Sequence, residues 1–194
     1  MRVVAGELKG RKIHAPAGSA TRPTADRVRE ALFSALTARL GNDLSDEVVL
    51  DAFAGSGALG IEALSRGART ATFVERDARA RDALRRSIAE LGLTDRARVL
   101  ATDVFAAARS GRIGPDAISL LFLDPPYRIN KAEVTALVRD LGAQGLLVEG
   151  ATIVWEHGVD APIEWPDECT VDSTKRYGST AVDIARWRGE GGQG

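Results

Sequence analysis

The chain has 194 residues, 44% of them hydrophobic and 27% charged, and its net charge is -1. That is the composition of a globular protein of one domain, with a core large enough to need no staples. A single cysteine, Cys169, excludes an internal disulfide, no apolar run approaches the ~20 residues of a membrane span, and Met1–Glu7 lacks the apolar stretch of a signal peptide. The expected compartment is the cytoplasm.

The first 30 residues carry seven basic and three acidic side chains, a net of +4, so the rest carries -5. Arg2–Ala5, a turn between Gly6 and Gly10, and Arg11–His14 read as a basic β-hairpin. Ala15–Ala20 is a loop by composition, and a helix starts at Pro23-Thr24. Val28, Ala31, Leu32, Ala35, Leu36 and Leu40 give that helix its apolar stripe, and Gly41 stops it.

Strands and helices then alternate. Glu47–Asp51, Thr70–Glu75, Ala97–Ala101, Ile118–Leu123 and Ala151–Glu156 read as strands. Ala58–Arg66, Ala78–Leu91, Val104–Arg109 and Ala132–Leu141 read as helices between them. This order predicts a mostly parallel sheet covered on both faces. Glu168–Lys175 and Thr180–Trp187 flank Tyr177-Gly178 as an antiparallel hairpin, bringing the sheet to seven strands. The expected division is an extension over 1–20, a catalytic domain over 21–188 and a frayed tail over 189–194.

Asp51-Ala-Phe-Ala-Gly55-Ser-Gly57-Ala-Leu-Gly60 places a G-x-G-x-x-G loop between a strand and a helix, and Glu75 ends the next strand. Alone, that spacing suggests a dinucleotide site, or a tight turn beside a surface Glu. Asp51 separates cofactors. A carboxylate beside the loop would repel a pyrophosphate, but suits S-adenosylmethionine, which offers a sulfonium and an ammonium group. Asp103, ending the third strand, could accept from an adenine amino group, cap the next helix, or both.

The fourth strand runs into Asp124-Pro125-Pro126-Tyr127. Two prolines stiffen the loop. The Asp124 carboxylate and the Pro125 carbonyl can each accept one N–H of a planar amino group. The Tyr127 ring can stack on the base that bears it, worth roughly 1–3 kcal/mol. Two acceptors also turn the nitrogen lone pair toward an incoming methyl.

With these residues the chain resembles the class I S-adenosylmethionine-dependent methyltransferases, which have a Rossmann-like α/β fold. Arg2–Arg11, Arg22–Phe33, Asp51–Ala68, Phe73–Asp77 and Lys175–Gly178 are similar to the RsmD-type bacterial 16S rRNA methyltransferases. The resemblance runs from residue 2 to about 187; Ala52, where Leu is common, is a mild departure. It implies methylation of guanine N2 at the 16S position usually numbered 966, in the small ribosomal subunit or its assembly intermediate; nothing in the sequence demands more than a monomer. It also implies that Gly55 and Gly57 line the methionine end, that Glu75 holds the ribose and Asp103 the adenine, and that Thr24 and Arg27 lie beside the pocket. Asp124, Pro125 and Tyr127 would handle the guanine. Lys9, Arg11, Lys12 and Arg22 are the expected RNA contacts. His14, His157 and Cys169 do not make a zinc site, so no metal is expected; His157 and the three tryptophans are expected in structural roles. Three other readings are an amino methyltransferase acting on adenine N6 or a protein glutamine, an NAD-binding oxidoreductase, and a silent RNA-binding module.

Overall fold

A computed structural model of the chain describes residues 1–16, 23–41, 43–114, 116–160 and 163–189. Arg22, part of the Ala15–Ala20 loop, the side chain of Thr24 and the tail from 190 onward lie outside the described residues.

Helix α1 (Pro23–Arg39) is followed by β1 (Val48–Asp51), α2 (Ala58–Ser65), β2 (Thr70–Val74), α3 (Ala78–Glu90) and β3 (Ala97–Leu100). Then come α4 (Val104–Arg109), β4 (Ile118–Leu123), α5 (Lys131–Ala143), β5 (Leu147–Gly158), β6 (Cys169–Tyr177) and β7 (Thr180–Trp187). The seven strands lie in the order β3-β2-β1-β4-β5-β7-β6. The first five are parallel, and β7 pairs antiparallel with both β5 and β6. This is the Rossmann-like methyltransferase architecture expected from the sequence. Ala78–Glu90 and Lys131–Ala143 each begin at a side-chain cap, Asp77 and Asn130, the latter completing a capping box with Glu133.

Two apolar layers flank the sheet. Leu32, Phe33 and Leu36 of α1 join Ile61, Leu64, Phe73, Leu84 and Phe122 on one side. Val134, Leu137, Val138 and Leu141 of α5 join Leu121, Leu123, Ile153, Trp155 and Trp187 on the other. Strand β5 is longer than expected, because Leu147 already pairs with Ile118 before a register shift that returns pairing at Leu120 and Thr152. Gly150, at φ 81°, lies inside that irregularity and breaks the apolar alternation that marks a strand.

Residues 1–14 turn back on themselves as expected, but with one antiparallel bridge, Arg2 to Lys12. Many of the segment's amides are bound by helices instead. Val4 and Ala5 N–H donate to the Glu62 carboxylate (2.8 and 2.9 Å), Leu8 N–H to Ser65 Oγ (3.0 Å) and His14 N–H to Ser87 Oγ (2.9 Å). Val3 and Ile13 are buried in the first core layer. Gly6, at φ 82°, lies so close to α2 that a Cβ would sit 1.9 Å from the Ser65 carbonyl oxygen. Among the described residues no helix is long and apolar enough to cross a membrane.

Candidate active site

The carboxyl ends of β1 to β5 open into one cavity of about 440 Å³. Strand order reverses at β1, flanked by β2 on one side and β4 on the other, which is where open α/β sheets bind ligands. Phe53 and Gly55 come from the β1–α2 loop, Glu75 to Asp77 from β2–α3, and Asp103 to Phe105 from β3–α4. Asp124 to Ile129 form the β4–α5 wall, and Trp155 to Gly158 end β5.

The glycines divide their work. Gly55, at φ 53°, lines the cavity, and a side chain there would meet nothing within 4 Å. Gly57 does not line it. A Cβ on Gly57 would lie 2.3 Å from Leu84 Cδ1, and one on Gly60 2.3 Å from Phe73 Cε1. These two let α2 settle onto β2 and α3, so their effect on the cavity is to place the Gly55 backbone.

Glu75 holds the loop in shape: its carboxylate accepts from Gly55 N–H (2.8 Å) and Asp77 N–H (2.7 Å). A carboxylate has about four lone-pair sites, so two remain for ligand hydroxyls. Asp103 caps α4 through Ala106 N–H (3.1 Å), lies 3.8 Å from the Arg76 guanidinium, and lines the cavity. Phe53 and Phe105, rings 5.9 Å apart edge to face, supply an apolar wall beside it. Carboxylates for hydroxyls and an amino group beside aromatic walls fit a nucleoside.

Asp51 is only 2% exposed and does not line the cavity. Its carboxylate accepts from Gly60 N–H at 3.1 Å, beneath the glycine loop. Burial pushes its carboxyl up to about 7; the Gly60 bond opposes this, and the charges of Asp124 and Glu75 add to it. Asp124 stands in the cavity wall, where water reaches it but the surrounding protein removes much of its hydration, and its carboxyl is raised to about 6. Glu156, half-buried two residues before the end of β5, is raised to about 7 by burial and by the charge of Asp124. When ionised, these three desolvated carboxyls attract a cation or N–H donors and repel phosphate. The cavity therefore fits a nucleoside with a positive end, such as S-adenosylmethionine, and not a dinucleotide.

Tyr127 is 92% exposed, its ring free to stack on a base. Pro126 O accepts from Ile129 N–H (2.9 Å), which closes the loop. Glu156 joins the site without having been expected there; in the sequence it shows only as an acid that ends the apolar run Ala151–Trp155. His157 also lines the cavity, with Nε2 3.6 Å from the buried Asp183 carboxylate, which accepts from Trp165 Nε1–H (3.1 Å).

The expected RNA contacts are elsewhere. Both α2 and α3 start at the cavity and run away from it. Lys9 and the turn lie at the far end of α2, beside Ser65. Arg11 donates to the Glu90 carbonyl at the far end of α3 (2.7 Å). At 1.5 Å per residue, α3 puts the Arg11 head about 20 Å from the cavity. Nearer the mouth, Arg128 follows Tyr127, and Lys175 and Arg176 precede the turn that brings Thr180 beside Gly158. All three are exposed.

Fold and cavity together define a class I methyltransferase. A family profile described as "Conserved hypothetical protein 95" matches residues 1–186, and the chain belongs to that family, the RsmD-type group that the sequence resembles. It is 38% identical to YlbH of Bacillus subtilis (strain 168), over 97% of this chain and all of that one. It is 36% identical to the ribosomal RNA small subunit methyltransferase D of Escherichia coli (strain K12), over 85% of this chain and 81% of the relative. The solved structure of Escherichia coli yhhF matches with TM-score 0.81 and 30% identity, over 98% of this chain and 99% of that one.

Proposed function

We propose that the protein is a cytoplasmic 16S rRNA methyltransferase that moves a methyl group from S-adenosylmethionine to the exocyclic N2 of one guanine, the position usually numbered 966. The observation that carries this reading is the Asp124-Pro125-Pro126-Tyr127 loop on the wall of an acid-lined nucleoside cavity. The names of the curated relatives support an rRNA substrate.

When bound, S-adenosylmethionine supplies an electrophilic methyl on a positively charged sulfur. Glu75 takes the ribose hydroxyls while Gly55 N–H keeps it aimed. Asp103 accepts from the adenine amino group, with Phe53 and Phe105 against the ring. Asp51 and its neighbours favour the positive end by charge. Tyr127 stacks on the flipped guanine, and the Asp124 carboxylate and Pro125 carbonyl accept its two amino N–H bonds. Two acceptors on one side leave the nitrogen lone pair facing the methyl, so transfer is direct, with no enzyme-bound intermediate. The transferred methyl leaves the nitrogen with one proton too many, and Asp124, with its carboxyl near 6, is placed to take it.

The rRNA phosphates are assigned to two basic surfaces, Arg128, Lys175 and Arg176 at the mouth, and Lys9, Arg11 and Lys12 on the arm. A folded RNA spanning about 20 Å meets both. One assay tests the activity. Purified protein is given labelled S-adenosylmethionine and small subunits from cells lacking the gene, and the RNA is digested to nucleosides. N2-methylguanosine is expected; N6-methyladenosine, or label only in protein, would overturn the assignment.

A further inference from the structure

Strands β4 and β5 are parallel, and their register pairs Leu123 with Trp155. One residue on, where β4 ends and β5 continues to Gly158, Asp124 and Glu156 lie side by side, with Glu156 on the opposite side of β5 from Trp155. Trp155 is buried in the core at the floor of the cavity, and half-buried Glu156 lines the same cavity. Among the described residues no hydrogen-bond donor reaches the Glu156 carboxylate. A half-buried acceptor with no protein donor, beside the acceptor of the methylated amino group, is open to a donor on the ligand.

We propose that Glu156 accepts the N1–H of the target guanine and so sets guanine against adenine. This rests on the guanine-N2 reading above. Guanine offers N1–H and the N2 amino group as adjacent donors on one edge. With Asp124 and Pro125 on the amino group, the neighbouring N1–H falls toward Glu156 on the neighbouring strand. Adenine in the same pose turns a lone pair at N1 toward Glu156, and above about pH 7, where this carboxyl is ionised, it has only lone pairs to answer with. The rejection is electrostatic and needs no steric block.

2-Aminopurine tests this, because it keeps the exocyclic amine and has a lone pair at N1. Small subunits are rebuilt with 16S rRNA carrying guanine or 2-aminopurine at the target position, and kcat/KM is measured on both well above pH 7, with Glu156 ionised. The wild-type protein should prefer guanine by about 10²-fold or more. In Glu156→Gln, whose amide can donate to N1, that preference should shrink by about 10-fold or more, with both substrates measured at saturating S-adenosylmethionine. If Glu156→Gln does not fold, Glu156→Ala is measured in its place, and the preference should again shrink. A merely structural role slows both substrates alike. An unchanged preference in a variant that still methylates guanine overturns this inference and leaves the guanine-N2 reading standing. A wild-type protein that methylates no guanine N2 overturns that reading first.

Discussion

Glu62 and Asp51 belong to the same strand–loop–helix unit, and both carboxylates are almost fully buried. Their surroundings differ. Glu62 is met by two backbone N–H groups, by Arg66 Nε at 2.9 Å and by Arg29 Nε at 3.5 Å. Asp51 is met by one backbone N–H, and its nearest charged neighbours, Asp124 and Glu75, are acids. A buried carboxylate surrounded by donors ties the chain together; here it fastens residues 1–14 to α1 and α2. Buried carboxylates short of donors are held at a cost in stability, and the cost is recovered when a cation or an amino group arrives. The first arrangement builds the fold, the second the site.

That contrast can be broken in several ways. Asp124→Ala should lower methyl transfer by about 10⁴-fold while leaving S-adenosylmethionine affinity within a few-fold. Single-turnover methylation and calorimetry measure the two separately, and strong residual turnover would remove Asp124 from the acceptor role. Glu62→Ala should lower stability by roughly 3–5 kcal/mol, since it strands two amides and two guanidinium groups. Denaturant unfolding measures the loss, and the folded fraction should keep its affinity for the methyl donor. Asp51→Asn should do the reverse, weakening S-adenosylmethionine by about 10-fold while raising the melting temperature at pH 8, because it removes one of a set of repelling charges.

The pH dependence follows with a definite sign. The carboxyls of Asp51, Asp124 and Glu156 are raised to about 7, 6 and 7, so the folded state holds protons that the unfolded chain releases near 4. The stability of the ligand-free protein should therefore fall as pH rises from about 4 to 7 through these groups. Affinity for the cationic methyl donor should rise through the upper part of that window and level off above it. Thermal melts and calorimetry across the range check both slopes, and a flat affinity would mean that the acids do not meet the ligand's charge. The smallest effect is expected on the arm. Neutralising Arg11 and Lys12 should reduce the salt slope of RNA binding by about 1–2, at roughly 0.7–0.9 per phosphate lost. An unchanged slope would confine the RNA surface to the mouth.

Much of this was legible in the sequence. Alternating apolar runs and helical periods placed the elements, because strand and helix patterns are local. The glycine loop and the Asp-Pro-Pro-Tyr segment marked the cavity, because each is a short stretch at a strand end. Glu156 was not legible, because its meaning depends on how β4 and β5 align across the sheet. Nor was the direction of the arm: only its bonds to Glu62, Ser65 and Ser87 turn it from the cavity. Glu62 itself left a trace, one acid amid Ala58-Leu59-Gly60-Ile61 and Ala63-Leu64. Near-neutral overall charge hid both features, a basic arm fastened by one satisfied acid and a cavity of unsatisfied ones.

In the proposed function, the Asp124 loop positions one guanine amino group for methylation. Mapping N2-methylguanine in 16S rRNA from cells without the gene, and from cells complemented with wild type or Asp124→Ala, tests it most directly. Loss of one N2-methylguanine without the gene is expected, with restoration by wild type and none by Asp124→Ala. Persistence of every N2-methylguanine without the gene, or restoration by Asp124→Ala, would contradict it.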